Sequence, residues 1–146
     1  MHSDYIARET AISAVINAGF SLAFFLLIFG TSAAVVGVGT YAYDFLPQSC
    51  AIAVMSTLVP GAIVGGRLRK GALVRSGRAG ALPSSLLLRT VVMAVLGTLI
   101  GAVVCALLLL GGPSTFGWWG ALAGKLAYGA LLAIIVTPPG LQAALR

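Results

Sequence analysis

Residues 90–110 read TVVMAVLGTLIGAVVCALLLL, a run with no charged position, closed by Gly111, Gly112 and Pro113. Roughly 20 consecutive apolar residues carry an α-helix across the hydrocarbon core of a bilayer, and a Gly-Gly-Pro sequence ends one. The run therefore predicts a transmembrane helix. It also sets the scale for the rest of the chain, because 146 residues at this length per span hold four helices with short connections. A separate soluble catalytic or sensor domain has no room.

Composition agrees with that reading. The chain is 60% hydrophobic and 8% charged, against about a quarter charged in a soluble domain. Too few polar side chains remain to cover the surface that folding leaves exposed, so lipid must cover it. The expected fold is an all-α, polytopic integral membrane protein with a bundle of four transmembrane helices in a single domain.

Three further apolar runs complete the set. The first spans about 11–29, the second about 49–66, and the fourth about 120–137, with residues 90–110 as the third. The N-terminal stretch, with Asp4, Arg8 and Glu9, lacks the basic opening and small-residue cleavage site of a signal peptide, so the first run reads as a retained anchor. Residues 30–48 read as a turn with interfacial Tyr41 and Tyr43, and Trp118 and Trp119 mark the entry to the fourth span. Pro60 and Gly61 predict a bend near the end of the second helix, and Pro138, Pro139 and Gly140 a stop to the fourth.

The connection 67–89 carries six of the nine basic residues: Arg67, Arg69, Lys70, Arg75, Arg78 and Arg89. With Arg8 and Arg146 they place eight cations on one side of a four-span topology and none in the two opposite connections. Lys and Arg stay on the cytoplasmic side, so both termini are expected in the cytoplasm, with a bacterial inner membrane as the setting. Arg67, Arg69, Lys70, Arg75 and Arg78 also favour anionic lipid headgroups. Their place in the topology explains them without nucleic acid as a partner.

The two halves of the chain resemble each other. Pro60-Gly61 followed by Arg67 recurs as Pro139-Gly140 followed by Arg146, and Thr10, Ala14, Val15 and Leu27 recur as Thr90, Ala94, Val95 and Leu107. If the repeat is real, two tandem hairpins of equal orientation are related by a pseudo-twofold axis along the membrane normal. The paired breaks at Pro60, Gly61, Pro139 and Gly140 then either flank a binding site or simply end helices before an interfacial arginine.

Chemistry has few candidates. Ser13, Asn17 and Ser21 recur at every fourth position of the first helix, with Glu9 extending the stripe. Such a stripe lines a polar path, or forms a packing seam of interhelical hydrogen bonds. Lys125 is the one cation away from the basic side; it snorkels outward or, pointing inward, pairs with Asp44 as an outer gate or lock. Small residues spaced by four at Gly61/Gly65, Gly97/Gly101 and Gly120/Gly124 predict close helix packing. The third and fourth helices are expected to meet through Gly97, Gly101, Gly120 and Gly124, faces that also suit a homo-oligomer or another membrane protein.

The lone histidine, His2, lies near the N-terminus, and Cys50 and Cys105 sit in apolar runs without metal-ligand spacing. No metal and no cofactor are expected, and no paired carboxylates or nucleophile motif suggest an enzyme. Two functions fit: a small permease-like or channel-like protein moving a small solute or ion along Ser13, Asn17 and Ser21, or a non-catalytic accessory or assembly subunit of a membrane complex.

Overall fold

A computed structural model describes residues 2–32, 34–74 and 82–146. Arg75 and Arg78, two of the residues expected to contact lipid headgroups, lie outside the described residues. The chain folds as α1 (His2–Phe29), a short strand β1 (Val35–Gly37), α2 (Val38–Tyr43), α3 (Phe45–Arg69), α4 (Leu86–Gly111), a second short strand β2 (Thr115–Gly117) and α5 (Trp118–Ala144). Four helical segments are long and apolar enough to span a membrane: Ser3–Phe29, Val38–Arg69, Leu86–Gly111 and Trp118–Ala144. The expected all-helical bundle is therefore present, with helices longer than the apolar runs alone indicate.

The extensions have a common cause. Once nucleated, a helix gains one hydrogen bond for each residue added, so it runs on past the last apolar side chain. Accordingly α1 takes in Asp4, Arg8 and Glu9, and α3 begins at Phe45, directly after α2, rather than at residue 49. The turn expected over 30–48 is in large part helix. Pro138 and Pro139 do not stop α5, which continues to Ala144; two missing donors are tolerated where neighbouring helices pack around the freed carbonyls. Pro60 likewise lies inside α3.

The helices are interleaved. The central contact is between α3 and α5; α1 packs along α5 and α4 along α3, while α1 with α3, and α4 with α5, only graze. Each flanking helix thus packs on the second helix of the other half. Burial follows: 44% of the most apolar window of α3 and of α5 is buried, but 22% in α1 and α4. The close approach at Gly97 and Gly101 is accordingly to α3, where a side chain at either position would meet Ala53, Ser49 or Phe45. Gly124 faces the Tyr41 hydroxyl, and nothing lies within 4 Å of where a Gly120 side chain would stand. The expected seam between the third and fourth helices through these four glycines does not form; the glycines on the third helix serve α3 instead.

At the end of the bundle away from the termini, β1 and β2 pair antiparallel, with Val35 opposite Gly117, Val36 opposite Phe116 and Gly37 opposite Thr115. Beneath them Phe25, Val36, Tyr41, Phe45, Ala121 and Leu122 form an apolar cluster, reinforced by edge-on ring contacts of Phe25 with Trp118 and Tyr41 with Phe45. The Trp118 indole donates to the Gly30 carbonyl, a glycine at φ 63° in the left-handed region. At the opposite end Val64, Leu141 and Leu145 close the bundle with Tyr5 and Ile6 of α1. This packing sets the start of α1 beside the ends of α3 and α5.

Candidate functional site

The polar residues of α1 face inward. Ser13, Asn17 and Ser21 are all buried, on the same face as Phe25, where each hydroxyl and amide needs a partner from the protein. Their partners come from α3 and α5. The Asn17 amide donates to the Ser13 carbonyl at 2.8 Å and to Ser56 Oγ at 2.9 Å. Thr137 Oγ1 donates to Ser13 Oγ at 2.9 Å, and Ser13 Oγ to Ser56 Oγ at 3.3 Å. One knot of side chains so joins three helices.

The second knot lies two turns nearer the strands. Gln48 Nε2 donates to Ser21 Oγ at 2.7 Å, and Ser21 Oγ to the Asn17 carbonyl at 2.9 Å, which links the two knots through α1. Ser49 shares short hydrogen bonds with the Phe45 carbonyl and the Tyr128 hydroxyl. On the α3 side the levels are separated by an apolar layer containing Ile52, Ala53, Leu132 and Ala133.

Above these sits a buried ion pair. Lys125 Nζ lies 2.8 Å from Asp44 Oδ2, with side-chain exposures of 0% and 2%. Lys125 therefore points inward rather than snorkelling, and its partner is the carboxylate expected for that orientation. The ammonium also stands 3.6 Å from the centre of the Phe45 ring and 5.1 Å from that of Tyr41, where aromatic faces attract a desolvated cation. The Tyr41 hydroxyl donates to the Ala121 carbonyl at 2.9 Å, fixing one wall of this chamber.

At the terminal end Glu9 Oε1 stands 3.7 Å from Arg67 Nη1, which also donates to the Tyr5 hydroxyl at 3.1 Å. Arg69 and Lys70 are exposed beside it. Glu9, Ser13, Asn17, Ser21, Gln48 and the Asp44–Lys125 pair thus follow one another along the bundle.

The column has spare acceptors. Among the described residues, Asn17 Oδ1, Gln48 Oε1, Thr57 Oγ1 and Asp44 Oδ1 are buried without a hydrogen-bond partner. Pro60 adds to them, because it lacks the N–H that would otherwise bond the Ser56 carbonyl one turn earlier. Gly140 packs on Thr57, where a side chain would meet it at 3.6 Å. The Pro60 and Gly140 breaks therefore border the Ser56–Thr137 level of the column, while Gly61 lies against Leu86 and Arg89 of α4.

Gln48, Ser49, Ser56, Thr57, Tyr128 and Thr137 were not singled out in the sequence. Asp44, Gln48 and Ser56 are multiples of four apart, the spacing that picked out the α1 stripe; this second stripe is hidden in the sequence because Asp44, named only as a partner for Lys125, and Gln48 fall before the apolar run of the second span. Cys50 and Cys105 are free thiols. Comparison with known proteins finds no matching family model, no similar curated protein and no similar solved structure.

Proposed function

We propose that the protein is a small permease-like or channel-like membrane protein, and that the buried polar column is its route. Support comes from the four acceptor oxygens left without donors on Asn17, Gln48, Thr57 and Asp44. Buried polar atoms ordinarily find partners, and an incompletely satisfied column of acceptors suits a species that brings donors or positive charge: a proton, water, or a small cation. The Asp44–Lys125 pair closes the route beneath the strand end and acts as the gate.

The proposal includes the topology. The termini and Arg67, Arg69 and Lys70 face the cytoplasm of a bacterial cell, and the strand ribbon faces outward. It also includes the pseudo-twofold relation of the halves. Positions facing each other at the centre of the ribbon, Val36 and Phe116, are eighty apart, as are Tyr41 and its partner Ala121. The contact of Gly129 with Ser21 has its counterpart, at the same offset, in that of Ser49 with Gly101.

The test uses purified protein in liposomes, with proton, K⁺ and Na⁺ gradients imposed in turn. The wild type should dissipate at least one of these faster than empty vesicles, and Asn17→Leu should remove that flux without altering assembly. Absence of flux for all three overturns the reading. A second reading, an accessory or assembly subunit, gains from the internal hydrogen bonding of Ser13, Asn17 and Ser21, which makes the stripe a seam. Gly120, open on its helix face, would then meet a partner or a second copy. Loss of a co-purifying partner in Gly120→Leu, with no flux in the wild type, identifies that case.

A further inference from the structure

We propose that the groove between α4 and α5 binds one anionic phospholipid, with its phosphate held by Arg89 and Arg146 and an acyl chain lying along the groove. The inference is independent of whether the column conducts.

The groove exists because α4 and α5 barely touch. Its volume is about 570 Å³, and its walls include Leu82, Met93, Leu96, Ile100, Val103 and Pro139. These walls offer a polar solute no side-chain hydrogen bond, whereas a hydrocarbon chain gains contact along their whole length. From Met93 to Val104 the helix rises about 16 Å at 1.5 Å per residue, close to half of a hydrocarbon core about 30 Å thick. The groove is therefore about as long as one leaflet is deep, and it runs from Leu82 and Pro139, toward the terminal end, to Val104, just past the middle of α4.

Charge identifies the headgroup. Arg89, expected from sequence to lie in the hydrated connection, is on the first turn of α4 and only 2% exposed. It stands one turn before Met93 on the same helix face, with its guanidinium against Gly61, where a side chain would meet Nη2 at 3.0 Å. Its Nε and Nη1 have no hydrogen-bond partner among the described residues. Asp44 and Glu9 are taken up by Lys125 and Arg67, and the charge that bears on Arg89 is a second cation, Arg146. Arg146 is tied to the groove by a 3.2 Å hydrogen bond from Nη1 to the carbonyl of Leu82. A buried guanidinium with two donors unused calls for an anion, and the planar donor fork matches phosphate oxygens, with the partly exposed Arg146 adding a second positive charge beside it. Positive charge at the end of an apolar, leaflet-deep groove is complementary to an anionic phospholipid.

The test is native mass spectrometry of the purified protein with phosphatidylglycerol and phosphatidylcholine of identical chains. One phosphatidylglycerol should be retained per chain in preference to phosphatidylcholine by about tenfold. Arg89→Gln should abolish that preference and Arg146→Gln reduce it, while Ile100→Trp, which fills the groove and leaves both arginines in place, should lower retention of both lipids. Arg8→Gln, exposed on α1 at the same end and away from the groove, should change neither. Equal retention of the two lipids by the wild type overturns the proposal, as does full retention of phosphatidylglycerol in Ile100→Trp. So does competition by glycerophosphoglycerol, the headgroup without chains, equal to that of the intact lipid. Ile100 faces the groove and keeps the test decisive should Arg89→Gln fail to fold.

Discussion

Lys125 and Asp44 show what a single pair of residues can dictate in this bundle. An isolated charge in a low-dielectric interior is costly, and removing one member of a buried pair leaves the other uncompensated, at about 3–5 kcal/mol. Lys125→Met is therefore expected to lower the thermal unfolding midpoint in detergent strongly. The double variant Asp44→Asn/Lys125→Met, with no charge left to strand, should recover much of the loss; a double variant no better than the single one would contradict the pairing. Asn17 presents a milder case, because interhelical hydrogen bonds in membranes average about 0.6 kcal/mol. Asn17→Val should shift the same midpoint only slightly, so a large loss of flux in that variant would be a loss of route and not of fold. The partner of Lys125 could be named from the sequence, since Asp44 is the only acid in the two connections opposite the basic side. Its direction could not, because the aromatic chamber of Tyr41 and Phe45 that receives the ammonium exists only once α2, α3 and α5 have packed.

Glycine placement decides which helices approach each other. A methyl group on Gly129 would overlap the Ser21 hydroxyl, one on Gly101 would overlap Ser49, and one on Gly97 would stand 2.6 Å from the Ala53 Cβ. Overpacking of this kind costs about 1–3 kcal/mol. Gly129→Ala and Gly101→Ala should each destabilise the protein by that order, and Gly120→Ala, at an open position, should not; chemical denaturation in detergent micelles distinguishes them. The spacing of small residues made close packing legible, but it could not say against which helix. Gly97 and Gly101 fit a fourth-helix partner in one dimension as well as they fit α3, and only the three-dimensional interleaving separates the two. Helix ends were legible less well than helix centres. Charged and proline-bearing flanks look like connections in sequence, yet they continue the helix wherever its neighbours satisfy the backbone, as at Pro138 and Pro139 in α5.

The whole molecule is woven rather than stacked. Because α1 lies on α5 and α4 on α3, neither half of the chain buries its own helices against each other to any extent. Residues 1–74 and 82–146 expressed separately should each fail to accumulate as folded protein, while co-expression should yield a complex that co-purifies through a tag on either piece. Stable accumulation of one half alone would contradict this. The four long apolar helices were readable from hydropathy because even their outward faces carry mostly apolar side chains. The order in which they pack was not, since α1 and α4 are alike in length and composition and nothing in either spells out its neighbour.

The strand ribbon has a mechanical consequence. It fastens the connection after α1 to the connection after α4 by Val38 donating to Ser114 and Trp118 donating to Ala34, with a tryptophan latched onto Gly30 beside it. Among the described residues, the bundle has backbone hydrogen bonds joining separate connections at this mouth alone, while side-chain packing and the Arg67–Glu9 pair hold its far end. Like the jaws of a pair of tongs, its four rods are freest to spread at the far tips, so any breathing motion starts among Tyr5, Leu141 and Leu145 and reaches the lysine chamber last.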